Sequence, residues 1–108
     1  MQDMDDGPQM GAADDSLVRR DQLPLPNRYV EPRTQTEARL AAIWASALTM
    51  DRVGMDDRYF DLGGDSFLAT VIFTMIAEEF VIDIPMAILA ETPTIASLAP
   101  RIDALIGK

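Results

Sequence analysis

The amino-acid sequence predicts an all-α fold: a bundle of three long helices and one short one, preceded by a disordered N-terminal tail. Two observations carry this expectation. Apolar residues recur three and four positions apart along most of residues 36–106, the period of a helix with one buried face. Residues that cap helices stand at the starts of these runs, and no segment keeps the two-residue period of a strand. "FVIDI" at 80–84 comes nearest to one.

Residues 1–16, "MQDMDDGPQMGAADDS", hold five Asp and almost no bulky apolar side chain. Such a stretch cannot bury enough surface to offset its ordering entropy, so it is expected to be a disordered acidic tail. Residues 17–35 form a Pro-rich linker in which Pro24, Pro26 and Pro32 keep their predecessors extended. The folded domain is expected over 36–106. Thr34-x-x-Glu37 has the spacing of a capping box, and Leu40, Ile43, Trp44, Ala47 and Leu48 make one stripe. A first helix is therefore expected over about 36–49. The loop that follows, "TMDRVGMDDRYFDLGGD", is broken by Gly54 and by Gly63-Gly64, and Val53, Phe60 and Leu62 should pin it to the core. Loops of this length without periodicity are usually functional.

A second helix should run from Ser66 to about Phe80. Pro85 marks the start of a short third helix that ends near Glu91. Thr94 suits the N-cap of the fourth, where Ile95, Leu98, Ala99, Ile102 and Leu105 keep a helical spacing and Gly107 lies past the end. Pro100 is a misfit within that run. It removes an internal hydrogen bond and clashes with the carbonyl of Ala96 at about 3 kcal/mol, so a kink or break is expected before it.

At 108 residues, the chain is one domain plus its tail. Its 18 acidic residues against 9 basic ones leave a net charge of −9, which argues against nucleic acid as a partner and favours a basic protein surface. There is no Cys and no His, which removes disulfides, thiolate metal sites and His-dependent catalysis. No apolar run approaches the roughly 18 residues that span a bilayer, so no membrane association is expected. The N-terminus carries acids where a secretion signal has bases, which predicts a cytoplasmic protein.

The stretch "YFDLGGDSFLAT" at 59–70 carries the chemistry. Asp65 is placed to cap the second helix, which leaves the Ser66 hydroxyl free at the positive end of the helix dipole. Gly63 and Gly64 have no Cβ, so a second protein can come close to the backbone. A hydroxyl so placed is suited to modification by another enzyme. The plainer alternative is an unmodified helical interaction module in which Asp65-Ser66 merely begins a helix. Ser66 as a hydrolase nucleophile is disfavoured, because it needs a base and the chain offers no His and only Lys108 as lysine.

This stretch closely resembles the core motif of thiolation domains, the peptidyl carrier proteins of nonribosomal peptide synthetases, whose usual pattern is F-x-x-G-G-D-S-[LI]. "YVEPRTQTEARLAAIWASAL" (29–48), "VGMDDRYFDLGGDS" (53–66) and "IDIPMAILAETPTIASLAPRI" (82–102) are similar to further parts of that family. The resemblance implies a carrier-protein-like four-helix bundle and a non-catalytic function. Ser66 would bear a 4′-phosphopantetheine arm, delivered from coenzyme A by a phosphopantetheinyl transferase with Mg²⁺. Asp65 would help position that enzyme's metal or substrate, with Gly64 beside it. The arm's thiol would hold an aminoacyl or peptidyl group as a thioester, so a protein without Cys would acquire its sulfur on the cofactor. Implied partners are the transferase, an adenylation enzyme, and a condensation, thioesterase or tailoring enzyme, met by a monomeric carrier. The alternative within the class is an acyl carrier protein for polyketide or fatty acid synthesis. Those more often have a non-glycine residue in place of Gly64, so Gly64 argues for the peptidyl type.

On a helical wheel, Thr70, Thr74 and Ala77 share the side of Ser66, Phe67 and Val71 flank it, and Leu68, Ile72 and Ile76 lie opposite and should be core. Positions matching Val71 and Met75 are often basic in the family, whereas this helix is apolar from 67 to 77 apart from two threonines. Either the buried face is wider, or Phe67, Thr70, Val71 and Thr74 form a docking face for partners. Finally, "RRDQLPLPNRYVEPRT" resembles the tract that joins an adenylation domain to its carrier, or is an ordinary proline-stiffened spacer. The start at Met1 favours a free-standing carrier over a piece of a larger synthetase.

Overall fold

The computed structural model describes residues 17–107. The expected disordered tail, 1–16, lies outside them. Three α-helices form the bundle: α1 (Gln35–Leu48), α2 (Ser66–Phe80) and α3 (Ile95–Leu105). Short 3₁₀ turns stand at Arg20–Gln22, Tyr59–Leu62 and Met86–Ala90. Among the described residues there is no strand, and the apolar "FVIDI" instead buries Phe80 at the end of α2 and Ile84 beyond it. α1 packs against both α2 and α3, and α2 also meets the Met86–Ala90 turn.

The stripe expected on α1 faces this core: Leu40, Ile43, Trp44 and Leu48 are buried and Ala47 is half-buried. Thr34 caps the helix by accepting from the Glu37 N–H at 3.1 Å. The reciprocal half of a capping box is absent, because the Glu37 carboxylate turns to Arg33, accepting from its backbone N–H at 2.8 Å and its guanidinium at 3.1 Å. A complete box forms instead at α3, where Thr94 and Ser97 each accept from the other's backbone N–H at 3.1 Å.

The break expected at Pro100 does not occur. α3 runs through it from Ile95 to Leu105. Pro100 faces solvent, while Ile95, Leu98, Ala99 and Ile102 are buried along one face spanning both sides of it. Each large apolar side chain on that face contributes about 1.5–3 kcal/mol by burial, which together outweighs the roughly 3 kcal/mol cost of the proline. The expected short third helix is a 3₁₀ turn, Met86–Ala90, with Pro85 at its N-cap and Leu89 buried.

Residues 17–33 lie against the bundle. Arg20 is buried, and its Nε and Nη2 donate to Asp57 Oδ2 and Oδ1 at 2.6 Å each. Its Nη2 also donates to the Asn27 carbonyl, and the Gly54 N–H donates to Asp57 Oδ2. The hydrogen bond to Asp57 is the main reason that the Arg20 pKa is raised. The Val18 N–H donates to Thr49 O, the Asp51 N–H to Val18 O and the Met55 N–H to Val30 O. Leu23, Leu25 and Val30 pack on the core. The stretch expected as a spacer thus supports the loop between α1 and α2.

Candidate functional site

The approach to α2 is built on Tyr59. Its ring is fully buried and meets Trp44 edge-on at 6.3 Å. Its N–H donates to the Pro93 carbonyl at 2.8 Å, which ties the loop to the entry of α3. Its hydroxyl donates to the Asp65 carbonyl at 2.6 Å. Burial, and after it the charge of Asp65, raise the Tyr59 pKa, so the group remains a neutral donor.

The two glycines serve different ends. Gly63 has φ 89°, the left-handed region, and closes the 3₁₀ turn with its N–H on the Phe60 carbonyl. Gly64 carries no such φ; its reason is space, since a Cβ there would stand 2.2 Å from Cζ of Tyr59. Gly64 therefore lets the backbone lie on the tyrosine ring that holds Asp65.

Asp65 is extended and caps α2, its Oδ1 accepting from the Leu68 N–H at 2.8 Å. Ser66 is the first residue of the helix and is exposed. Its hydroxyl enters no hydrogen bond among the described residues. Thr70 and Thr74 follow on the same face, exposed, their hydroxyls donating to the Ser66 and Thr70 carbonyls. Phe67 is 73% exposed, whereas Val71 is half-buried. Opposite, Ile72 and Ile76 are fully buried, while Leu68, expected in the core, is half-buried against it.

Val53 and Leu62 are buried as expected of loop anchors, but Phe60 is 62% exposed. In a 3₁₀ turn, with three residues per turn, Tyr59 and Leu62 eclipse one another on the buried side and Phe60 falls outside it. Tyr59 is the residue that sequence reasoning missed. The available signal was a phenol beside two glycines in an apolar run, because a buried tyrosine hydroxyl needs a partner.

The arrangement suits a covalently attached phosphate ester. An unengaged, exposed hydroxyl stands at the N-terminus of a helix long enough to favour an anion. Among the described residues no cluster of His, Cys, Asp or Glu could hold a metal ion, and no helix is long and apolar enough to cross a membrane.

The family model for the phosphopantetheine attachment site matches residues 38–102, more than half of the chain. Tyrocidine synthase 3 of Brevibacillus parabrevis is 45% identical over 76 residues, which cover 70% of this chain and 1% of that synthase. The solution structure of an active-site mutant peptidyl carrier protein has a TM-score of 0.71 at 28% identity, covering 75% of this chain and 90% of that one. A chain in the structure of the phosphopantetheine transferase Sfp in complex with coenzyme A and a peptidyl carrier protein has a TM-score of 0.68 at 30% identity, covering 70% of this chain and 99% of that one. With fold, motif and matched residues in agreement, the chain belongs to the phosphopantetheine-attachment family, as a carrier domain of the kind found in nonribosomal peptide synthetases.

Proposed function

We propose that this chain holds aminoacyl or peptidyl intermediates as thioesters on a 4′-phosphopantetheine arm joined to Ser66. The observation that carries this is the Ser66 hydroxyl itself: exposed, unengaged among the described residues, and fixed at the N-terminus of α2. When bound, the arm supplies the thiol that the sequence lacks. The chain's own residues present the attachment point and catalyse nothing. Within a transferase and its Mg²⁺, Ser66 Oγ would form a bond to the pantetheine-bearing phosphorus of coenzyme A as the pyrophosphate P–O bond breaks, releasing adenosine 3′,5′-bisphosphate and the hydroxyl proton. Asp65 spends Oδ1 on the helix cap, and Oδ2 enters no hydrogen bond among the described residues, which leaves it for the transferase's metal or substrate. Gly64 and Tyr59 hold Asp65 in place.

The partners are a phosphopantetheinyl transferase, an adenylation enzyme, and a condensation, thioesterase or tailoring enzyme, met by a cytoplasmic monomer. The face around Ser66 that they contact is Phe67, Thr70, Val71 and Thr74, with Phe67 the most exposed large apolar side chain of the four. The folded unit is residues 36–106, and the stretch 17–35 braces it.

Incubation with coenzyme A, Mg²⁺ and a broad-specificity transferase tests the assignment. Intact mass should show one phosphopantetheine added to the native chain and none to Ser66→Ala. Equal labelling of both, or none of the native chain, refutes it.

A further inference from the structure

Arg20 is the one buried residue of the stretch 17–33; the rest are half-buried or exposed. Most of what receives it lies in the loop between α1 and α2. Asp57 Oδ2 and Oδ1 accept from its Nε and Nη2 at 2.6 Å each, and Asp51 Oδ1 accepts from its backbone N–H at 2.8 Å. Gly54 makes room for this: a Cβ there would stand 2.8 Å from Asp57 Oδ2 and 3.3 Å from the Val30 nitrogen. The carboxylate and the N-terminal stretch thus both come close to the loop backbone at Gly54, and next to it Val30 O accepts from the Met55 N–H at 2.9 Å.

We propose that Arg20 is a positioning residue for the modification of Ser66: its docking on Asp57 latches the attachment loop in the form that a phosphopantetheinyl transferase binds, and its release lets that loop open. This rests on Ser66 as the attachment point and adds a control element that lies outside the helical bundle.

The loop has two states because Asp57 has two. With Arg20 in place, a bidentate, charge-assisted pair compensates a carboxylate that is 1% exposed. Without it, only the Gly54 N–H serves that side chain among the described residues, and a charge so poorly compensated leaves the interior for water. Residues 54–57 must turn outward to allow this. Asp57 is two residues from Tyr59, whose hydroxyl holds the Asp65 carbonyl at the cap before Ser66. Met55 joins the same stretch to α3, donating to the Val30 carbonyl and accepting from the Ala96 N–H at 3.0 Å. Opening therefore frees the loop from residues 17–33 and loosens the tyrosine that aims Ser66. Apolar side chains of similar volume often stabilise a fold as well as a buried ion pair does. What a guanidinium adds is direction, since two parallel bonds fix how the carboxylate lies.

A transferase that takes only the latched form meets a carrier of which a fraction is unlatched. Its apparent affinity falls in proportion, while the step after binding is untouched. Loss of Arg20 therefore raises KM for the carrier and spares kcat. Loss of overall stability alters neither so long as the chain stays folded.

The test follows phosphopantetheine transfer by intact mass over a range of carrier concentrations. Full-length chains are used, at a temperature where urea unfolding shows each to be folded. Arg20→Met should raise KM about five-fold or more at unchanged kcat. Gly54→Ala, which displaces the carboxylate from the loop side, should do the same. Arg20→Lys keeps the charge without the fork and should fall between native and Arg20→Met, so it carries the test if Arg20→Met does not fold. Ile102→Val, a core truncation in α3, is the control: it lowers stability and should leave both constants native. Unchanged KM in folded Arg20 and Gly54 variants, a fall in kcat alone, or an equal rise of KM in Ile102→Val overturns the latch while leaving the attachment intact. Failure of the native chain to gain mass overturns the attachment itself.

Discussion

Gly64→Ala probes the support beneath Ser66. The added Cβ would lie 2.2 Å from Cζ of Tyr59 and 2.4 Å from both Cε atoms, far inside van der Waals contact. The ring has little freedom to withdraw: it is fully buried, abuts Trp44 edge-on, and is held at its far end by the hydrogen bond to the Asp65 carbonyl. Overpacking of this kind costs about 1–3 kcal/mol. Gly63→Ala is the control. Its Cβ meets nothing within 4 Å, so its cost is the left-handed φ alone, about 1–2 kcal/mol. The two totals overlap, and the mechanisms are separated by repeating both in a Tyr59→Leu background. Without the ring, Gly64→Ala should cost almost nothing, whereas Gly63→Ala should cost what it did before. Urea unfolding at constant m-value measures the costs, and intact mass over time measures the rate of phosphopantetheine transfer. Gly64→Ala should slow transfer, because relief of the clash displaces Asp65 and Ser66; Gly63→Ala should leave the rate near native. If Gly64→Ala costs as much in the Tyr59→Leu background as in the native chain, the ring is not what excludes a side chain there.

Arg20→Met leaves Asp57, whose side chain is 1% exposed, with only the Gly54 N–H among the partners described here, and should cost about 3–5 kcal/mol by urea unfolding; a loss below about 1 kcal/mol would mean that residues 17–33 are a loose tether. Burial pushes the Glu37 pKa up, but the hydrogen bonds from Arg33 outweigh it and the net shift is downward from 4.5. The carboxylate therefore contributes its stability in full above that value and loses it as pH falls through its lower folded pKa, so Glu37→Gln should decline less steeply than the native chain on acidification below about pH 4.5; parallel curves would refute this. Phe67→Glu, at a position 73% exposed, should keep a near-native Tm but slow loading by an adenylation enzyme, while Ile72→Glu, at a fully buried position, should unfold the domain; a collapse of Phe67→Glu would place that ring in the core.

Much of this was legible where the information is local. α2 begins at Ser66 with Asp65 as cap and ends at Phe80, because the cap, the glycines before it and the apolar period all act within a few residues. α1 departs from expectation by one residue at each end. What escaped depends on tertiary contact. Arg20 and Asp57 are 37 residues apart, and each reads alone as one charge among several in a polar stretch. Nothing in either neighbourhood shows that burial pairs them. Pro100 failed as a helix breaker because its local cost is outweighed by burial on the opposite face, a sum that no window around the proline contains. Phe60 was expected to anchor the loop and Tyr59, to which no role was given, does so instead for a geometric reason: the turn winds at three residues rather than alternating or following an α-helical period.

The loop before Ser66 is irregular, yet that does not make it loose. Irregular backbone is mobile when its polar groups are satisfied by water, because then nothing is lost by moving. Here the N–H groups of Met50, Asp51, Met55, Asp57, Tyr59, Leu62, Gly63 and Gly64 all donate to protein carbonyls. Four of those acceptors, Val18, Val30, Ala45 and Pro93, lie outside the loop. To shift the loop as a body, bonds to the N-terminal stretch and to the entry of α3 must be given up together. Fixing a residue's backbone costs about 1–2 kcal/mol of entropy, and a loop ordered in advance spares a visiting enzyme that cost. The same logic explains why the buried side of the loop is crowded with Tyr59, Met55 and Asp57 while its outer end exposes Phe60, Asp61, Gly63, Asp65 and the serine. A modifying enzyme has few contacts available on so small a domain. It gains most when the hydroxyl is already where the chemistry requires it. The residues that secure this position, Tyr59, Gly64 and the Arg20–Asp57 pair, need touch neither the enzyme nor the group it transfers.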